Sequence, residues 1–139
     1  MKVNQLSIKS ILALALGMVV LSATAQTVQI SLTGAQEVPP VSTAGSGNGS
    51  ITVGADQSVS GSVTTMGVEG TMAHIHLAAP GANGPVIVPM AKTADGVWSV
   101  PAGAKLTDAQ FQSFKDGNLY VNVHSAANRG GEIRGQLKP

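Results

Sequence analysis

The chain of 139 residues contains no cysteine. That absence excludes disulfides, thiolate metal sites and cysteine nucleophiles. Aromatic residues are almost as scarce, at 3% of the sequence, and all four lie between Trp98 and Tyr120. The length allows one domain and hardly two. We therefore expect the stretch from Trp98 to Tyr120 to anchor a single core.

Charged residues make up only 11% of the sequence, less than half of the roughly 25% that is usual in soluble proteins. A charge-rich disordered chain is thereby excluded. The chain also lacks a long run rich in Ala, Glu, Lys, Leu and Arg, which excludes a coiled coil. A nucleic-acid binder needs a basic face to neutralise phosphates, and a net charge of +1 supplies none. We therefore expect no nucleic-acid partner.

The apolar run 11–21 is short of the roughly 20 residues that a membrane-spanning helix needs. It follows Lys2 and Lys9 and precedes the small residues Ala23-Thr24-Ala25, the layout of a secretory signal peptide. This pattern predicts a signal peptide at 1–25, with an uncleaved anchor as the alternative. No cysteine follows the cleavage site, which excludes a lipoprotein anchor.

Cleavage after Ala25 would leave 26–139 as an exported domain, periplasmic or secreted, with no membrane span. Loss of Lys2 and Lys9 leaves six basic residues against seven acidic ones. The predicted mature chain therefore carries a net charge of about −1, and the basic character of the whole sequence belongs to its leader.

Short segments of alternating apolar and polar residues follow the leader, as in half-buried β-strands. Turn residues separate them, and a long Gly-, Ser- and Pro-containing stretch at 34–49 is predicted to be turn and loop. Many short strands divided by turns are typical of a β-sandwich or barrel. We predict an all-β fold, a Greek-key-like sandwich or barrel of about eight strands. The predicted strands are 28–32, 50–53, 59–65, 72–77, 86–90, 96–100, 119–124 and 131–137.

One segment interrupts the strand pattern and predicts a short helix near 107–116. Thr107 and Gln110 have the spacing of a capping box, in which each side chain satisfies a free amide of the first turn. Gly117 can adopt the left-handed conformation that ends a helix. The residues expected to pack this helix against the sheet are Leu106, Phe111 and Phe114.

The three histidines carry the most chemical information. His74 and His76 are two residues apart in a predicted strand and so share one face. His124 ends another predicted strand, on the polar face that also holds Tyr120 and Asn122. If the two strands lie near each other, three neutral imidazoles converge, a donor set that suits copper or zinc. The alternative is that these are polar outward side chains hydrogen-bonded to their neighbours, without metal.

Other chemistry is weakly indicated. Glu37, Glu69 and Glu132 are scattered, and no serine lies in a G-x-S-x-G elbow. The sequence therefore predicts no catalytic residue and no cofactor other than copper. In the final segment, 131–137, Glu132 and Arg134 share one face. We interpret it as an edge strand with a surface ion pair, the alternative being that Arg134 lies beside His124 and guides anions.

Three separated motifs resemble the CHRD domain, a module named from chordin and common in exported bacterial proteins. The resemblance covers 28–137 and implies an all-β extracytoplasmic domain, but it implies little about activity. The motifs are Leu32–Pro40, Ala73–His76 with Gly81–Pro85, and Leu119–His124 through Gly131–Leu137.

The two histidine strands are also distantly similar to the copper strands of Cu/Zn superoxide dismutase. That similarity implies that His74, His76 and His124 ligate copper and that Arg134 corresponds to the arginine guarding it. The sequence departs from that enzyme in having no fourth histidine to bridge copper to zinc, no zinc ligand set and no cysteine pair. Fold likeness alone does not carry function, and what remains implied is a mononuclear three-histidine site.

The sequence thus favours an exported, non-catalytic CHRD-domain binding module that holds copper through His74, His76 and His124. Asn122 or Tyr120 would support these ligands from behind. One alternative is a copper-dependent redox enzyme that resembles superoxide dismutase. The other is a structural or protein-interaction module that binds a protein partner and no metal.

Overall fold

Eight antiparallel strands close into a barrel in the computed structural model, which describes residue 19 and residues 23–139. The predicted all-β fold of about eight strands with one short α-helix is confirmed. The strands are β1 (Gln26–Thr33), β2 (Ser46–Val53), β3 (Val59–Met66), β4 (Gly70–Leu77), β5 (Val86–Ala94), β6 (Val97–Ser99), β7 (Leu119–Ser125) and β8 (Ile133–Leu137). The helix α1 is Asp108–Lys115, and a 3-10 turn covers Gly34–Gln36.

The predicted signal peptide falls mostly on residues 1–18 and 20–22, which lie outside the described residues. It therefore stays a prediction. Within the part of the chain that the structure describes, no helix is long and apolar enough to cross a membrane.

The order of strands around the barrel is β1-β2-β3-β6-β5-β4-β7-β8. The hairpin-connected strands β4, β5 and β6 lie in sequence order, while β3 pairs with β6 and β7 pairs with β4. The chain therefore crosses this three-stranded unit twice, once between β3 and β4 and once between β6 and β7, and each crossing is a Greek-key connection. The second connection, from β6 to β7 through α1, makes β7 the neighbour of β4.

Strand alternation fills the barrel with aliphatic side chains. Every strand contributes buried apolar residues to one cluster, and Leu106 and Phe114 join it from outside the sheet. On β4, for example, Ala73 and Ile75 are buried in this cluster, while His74 between them faces outward. Period-two alternation therefore separates a core face from an outer face on which polar chemistry can be built.

The capping box predicted for the helix is present. The Thr107 hydroxyl accepts from the backbone amide of Gln110 at 3.2 Å, and the Gln110 side chain accepts from the backbone amide of Thr107 at 3.0 Å. Gly117 has a φ of 76°, the left-handed conformation expected just beyond the helix. Phe114 is only 1% exposed and Phe111 is partly buried against the core, as the sequence predicts.

The stretch 46–49, which the sequence assigns to a loop, belongs to a strand. β2 begins at Ser46 rather than at 50, and it is paired along its whole length with both β1 and β3. The Ser- and Gly-rich composition that indicates a loop instead allows close packing here: a Cβ on Gly49 would lie 2.1 Å from the backbone oxygen of Ser62. Glycine is thus placed where a neighbouring strand approaches closely.

The edge-strand interpretation of the final segment is wrong, because β8 lies between β7 and β1 and closes the barrel. The surface ion pair is wrong too: Glu132 and Arg134 are both buried, and they form no salt bridge with each other within the described range. Glu132 instead accepts hydrogen bonds from the Thr43 and Ser125 hydroxyls, at 3.0 and 2.7 Å.

Replacing Phe114 by Ala is expected to lower the free energy of unfolding by about 3–5 kcal/mol, because the substitution leaves a cavity where a fully buried ring packs. The same substitution at the partly buried Phe111 should cost roughly 1 kcal/mol. Urea unfolding followed by the fluorescence of the single tryptophan, the buried Trp98, measures both values. Equal losses at the two positions would contradict the packing of α1 described above.

Candidate metal centre

The three histidines lie on the outer face of two neighbouring strands. On β4, His74 and His76 alternate with the core residues Ala73 and Ile75, so both imidazoles face outward. β7 pairs antiparallel with β4, and the register places His124 opposite Met72, on the diagonal from His74. The strand proximity on which the three-histidine prediction depends is therefore present.

The imidazoles converge closely. One nitrogen from each of His74, His76 and His124 lies within 4.8 Å of the other two. The ring centroids are 4.9 Å apart for His74 and His124, and 5.4 Å apart for His74 and His76. Two nitrogens that each lie about 2.0–2.1 Å from one ion can be at most about 4.2 Å apart. Movements of roughly 1 Å within the side chains would therefore suffice for all three to share an ion.

Backbone carbonyls fix the tautomers of two of these rings. Nδ1 of His76 lies 2.9 Å from the carbonyl oxygen of Gly84, and Nδ1 of His124 lies 2.7 Å from that of Arg129. A carbonyl can only accept, so each Nδ1 carries the proton and each Nε2 keeps its lone pair. Hydrogen bonds of this kind orient histidines that ligate metals.

The lone pairs of the two Nε2 atoms differ in their partners. Nε2 of His124 lies 3.1 Å from Nδ1 of His74, which must be the donor of this bond. Nε2 of His76 is buried and has no hydrogen-bond partner among the described residues. A buried nitrogen without a partner is costly in a protein interior, and a metal ion would satisfy it. The donor set fits copper or zinc, the metals for which three neutral imidazoles are suitable ligands.

Burial keeps two of the rings neutral. It lowers the pKa of His74, and the neighbouring rings of His124 and His76 lower that pKa further. Burial also lowers the pKa of His76, although the hydrogen bond to Gly84 acts in the opposite direction. Both rings are therefore unprotonated at neutral pH, the state in which imidazole binds a metal.

Tyr120 and Arg134 support the buried side of the cluster. The ring of Tyr120 stacks on His76, with centroids 4.7 Å apart and planes 4° from parallel. The guanidinium carbon of Arg134 lies 3.5 Å from the centroid of the Tyr120 ring, in a cation–π contact. The Tyr120 hydroxyl also accepts from the backbone amide of Gly84, the residue whose carbonyl orients His76.

Arg134 holds the loop that supplies this carbonyl. Its Nη1 donates to the carbonyl oxygen of Ala82 at 2.8 Å, and its Nη2 donates to that of Ala79 at 3.2 Å. The remaining contacts of these two nitrogens are with side-chain oxygens of Asn83 and Gln136. Arg134 is only 1% exposed, and its guanidinium group is used to hold the loop that contains Ala79 and Ala82. The structure therefore gives no support to the alternative in which it guides anions.

Glu37 is a buried carboxyl group whose burial sequence reasoning missed. It is 4% exposed, and burial raises the pKa of its carboxyl group to about 7, while Asn122 and Arg134 oppose that rise. Glu37 lines two clefts, of about 470 and 500 Å³. Like Glu69 and Glu132, it does not belong to the histidine group. Nothing in the spacing of Glu37 indicates its burial; the only signal is its place within the motif 32–40.

The comparisons with known proteins give one match. Residues 28–137 match the family model of the CHRD domain, the same span over which the sequence motifs resemble it. Neither the curated proteins nor the solved structures provide a match. The similarity to the copper strands of superoxide dismutase therefore stays a prediction.

Replacing Glu37 by Gln should stabilise the protein more at pH 8 than at pH 5. The folded pKa of about 7 exceeds the ordinary value of 4.5, so the stability from the protonated carboxyl is complete below pH 4.5 and is lost as the pH rises through 7. The stability difference between variant and wild type should grow by about 1–3 kcal/mol between pH 5 and pH 8.

Thermal unfolding across this pH range measures that difference, and the histidine contributions cancel because both proteins contain them. The matched control is Glu69→Gln, at an exposed glutamate, and the pH-dependent change for Glu37→Gln should clearly exceed the change for this control. A flat profile for Glu37→Gln would contradict the burial of an ionisable carboxyl at this position.

Proposed function

We propose a metal-binding function for this chain, which belongs to the CHRD domain family. The family membership supports a binding module, and the proposed ligand is a single copper ion held by His74, His76 and His124. The observation that carries the proposal is the convergence of three imidazole nitrogens within 4.8 Å, together with the buried Nε2 of His76, which has no hydrogen-bond partner in the described structure.

The tautomers favour binding over a purely structural role. A structural histidine normally satisfies both ring nitrogens. Here the carbonyl oxygens of Gly84 and Arg129 hold two Nδ1 atoms, and the Nε2 of His76 has no hydrogen-bond partner among the described residues. The Nε2 of His124 accepts from His74 alone. His74 would have to change tautomer, and give up its hydrogen bond to His124, only if it binds the ion through Nδ1, the nitrogen that carries the proton in the metal-free cluster. The protein would therefore reorganise little when it takes up the ion.

Imidazole donors accept zinc as well as copper, and the order of divalent affinities favours copper at a site without strong geometric restraint. Copper bound at such a site would be able to cycle between two oxidation states. The proposal is a binding function, and turnover of superoxide by the loaded protein would be a separate finding.

Titration of the purified chain with Cu²⁺ and with Zn²⁺ tests this proposal. We expect one Cu²⁺ per chain with a Kd in the micromolar range or tighter, measured by calorimetry and by visible absorption. The variant His74→Ala/His76→Ala/His124→Ala should bind at least 100-fold more weakly. The chain has only three histidines, so no other imidazole can mask the loss.

Unfolding of both proteins in the absence of metal shows whether the triple variant is folded, and His74→Ala alone, at the least buried of the three rings, serves if it is not. For the wild type, copper at 100 times its Kd should add about 2.7 kcal/mol to the free energy of unfolding. Equal and weak binding by wild type and folded variants would refute the proposal and leave the histidines a structural role.

We also propose that the protein is exported to the periplasm or beyond the cell, on the basis of the leader-like residues 1–25. The measurement is the N-terminal sequence of the protein recovered from outside the cytoplasm. Cleavage at the small-residue site predicts Gln26 as the first residue, immediately at the start of β1. Recovery of an intact leader on membrane-bound protein would support the uncleaved-anchor alternative instead.

A further inference from the structure

Met72 occupies the open end of the histidine cluster. It lies on β4 two residues before His74, and Ala73 between them is buried in the core. Strand alternation therefore places Met72 on the same outer face as His74 and His76. Exposure falls along this face: Met72 is 51% exposed, His74 is half-buried and His76 is buried.

The register with β7 brings Met72 to the third histidine. A bulge between Gly70 and Met72 shifts the pairing, and from there Met72 is directly opposite His124. Residues directly opposite on antiparallel strands have Cβ atoms about 4.5–5.5 Å apart. The thioether of Met72, on a long flexible side chain, is thus within reach of the Nε2 atoms of the cluster.

The thioether of Met72 is not held by core packing, because Met72 does not belong to the buried core. Its exposure by itself assigns no role, since single apolar side chains are common on protein surfaces. What singles Met72 out is its position beside imidazoles, where a thioether is a soft ligand of the kind that selects Cu(I).

The charge around the cluster points the same way. The group contains three imidazoles and no carboxylate. Since the cost of burying an ion rises with its charge, a set of neutral donors compensates a monovalent ion more fully than a divalent one.

We propose that Sδ of Met72 is a fourth ligand that makes the three-histidine cluster a site for Cu(I). The proposal rests on the proposed function, because it adds a donor to the same site. Met72 would hold the ion from the solvent side, and His76, which contacts Gly84 and Tyr120, would hold it from the buried side.

The test is the affinity of Met72→Leu for Cu(I), measured without oxygen by competition with a chromophoric Cu(I) chelator. Leucine keeps the apolar bulk and removes the sulfur, and an exposed position tolerates the change. We expect at least a tenfold loss of Cu(I) affinity while Cu²⁺ affinity stays within about twofold of wild type. The matched control is Met66→Leu, a methionine that is 67% exposed on β3, which pairs with neither histidine strand.

The outcomes separate the two proposals. If Met72→Leu and Met66→Leu both keep wild-type Cu(I) affinity while the histidine variant loses it, the role of Met72 is refuted and the three-histidine site stands. Equal losses for Cu(I) and Cu²⁺ in Met72→Leu would refute its selectivity for Cu(I). If the histidine variant binds both ions as the wild type does, the proposed function fails, and the ligand role of Met72 with it.

X-ray absorption of the Cu(I)-loaded protein gives an independent measurement. We expect one sulfur scatterer together with nitrogen scatterers around copper in the wild type and in Met66→Leu. The sulfur contribution should vanish in Met72→Leu. A copper environment of nitrogen alone in the wild type would overturn the proposal whatever the affinities are.

Discussion

The antiparallel pairing of β4 with β7 is the constraint on which the candidate site depends. These strands carry His74, His76 and His124, yet 50 residues separate His74 from His124 along the chain. The Greek-key return of β7 to β4 makes them neighbours. The register then places Tyr120 opposite His76 and Asn122 opposite His74, so one ladder of backbone hydrogen bonds positions both the imidazoles and the groups that support them.

A slip of one residue in this register would destroy the site together with the core. Side chains alternate between the two faces, so a slip would turn the β7 residues Val121 and Val123 outward and His124 inward. The hydrophobic cost of exposing the two valines therefore protects the geometry of the histidines. Core packing and site geometry are two consequences of the same alternation.

The outer face of β4 and β7 is unusual because it is covered. All seven residues of β7 are buried, although alternate ones face away from the core. Arg134 provides much of the covering by holding the loop around Ala79 and Ala82 over Tyr120. Burying a guanidinium is costly unless its donors are satisfied, and carbonyl and amide oxygens meet that need here. The loop that Arg134 holds in turn orients His76, through the carbonyl oxygen of Gly84.

Local sequence patterns determined most of the secondary structure of this protein. The alternation of apolar residues predicted most strands, and the Thr107–Gln110 spacing predicted the helix start, because these signals act within a few residues of chain. The same alternation put His74 with His76 and grouped Tyr120, Asn122 and His124. The burial of Arg134, the role of β8 in closing the barrel and the extension of β2 to Ser46 were decided by partners far along the chain. Period-two alternation is the same in an edge strand and in a closing strand, so it could not distinguish them.

The histidine cluster shows the same division. The sequence determined which residues carry imidazoles and which of them share a strand face. Only the tertiary structure decided that β4 and β7 are neighbours, that Gly84 and Arg129 fix two tautomers, and that Glu37 is buried beside Arg134 and Asn122. The physical reason is that strand faces are set by neighbouring residues, whereas strand neighbours and burial are set by which distant segments of the chain pack together.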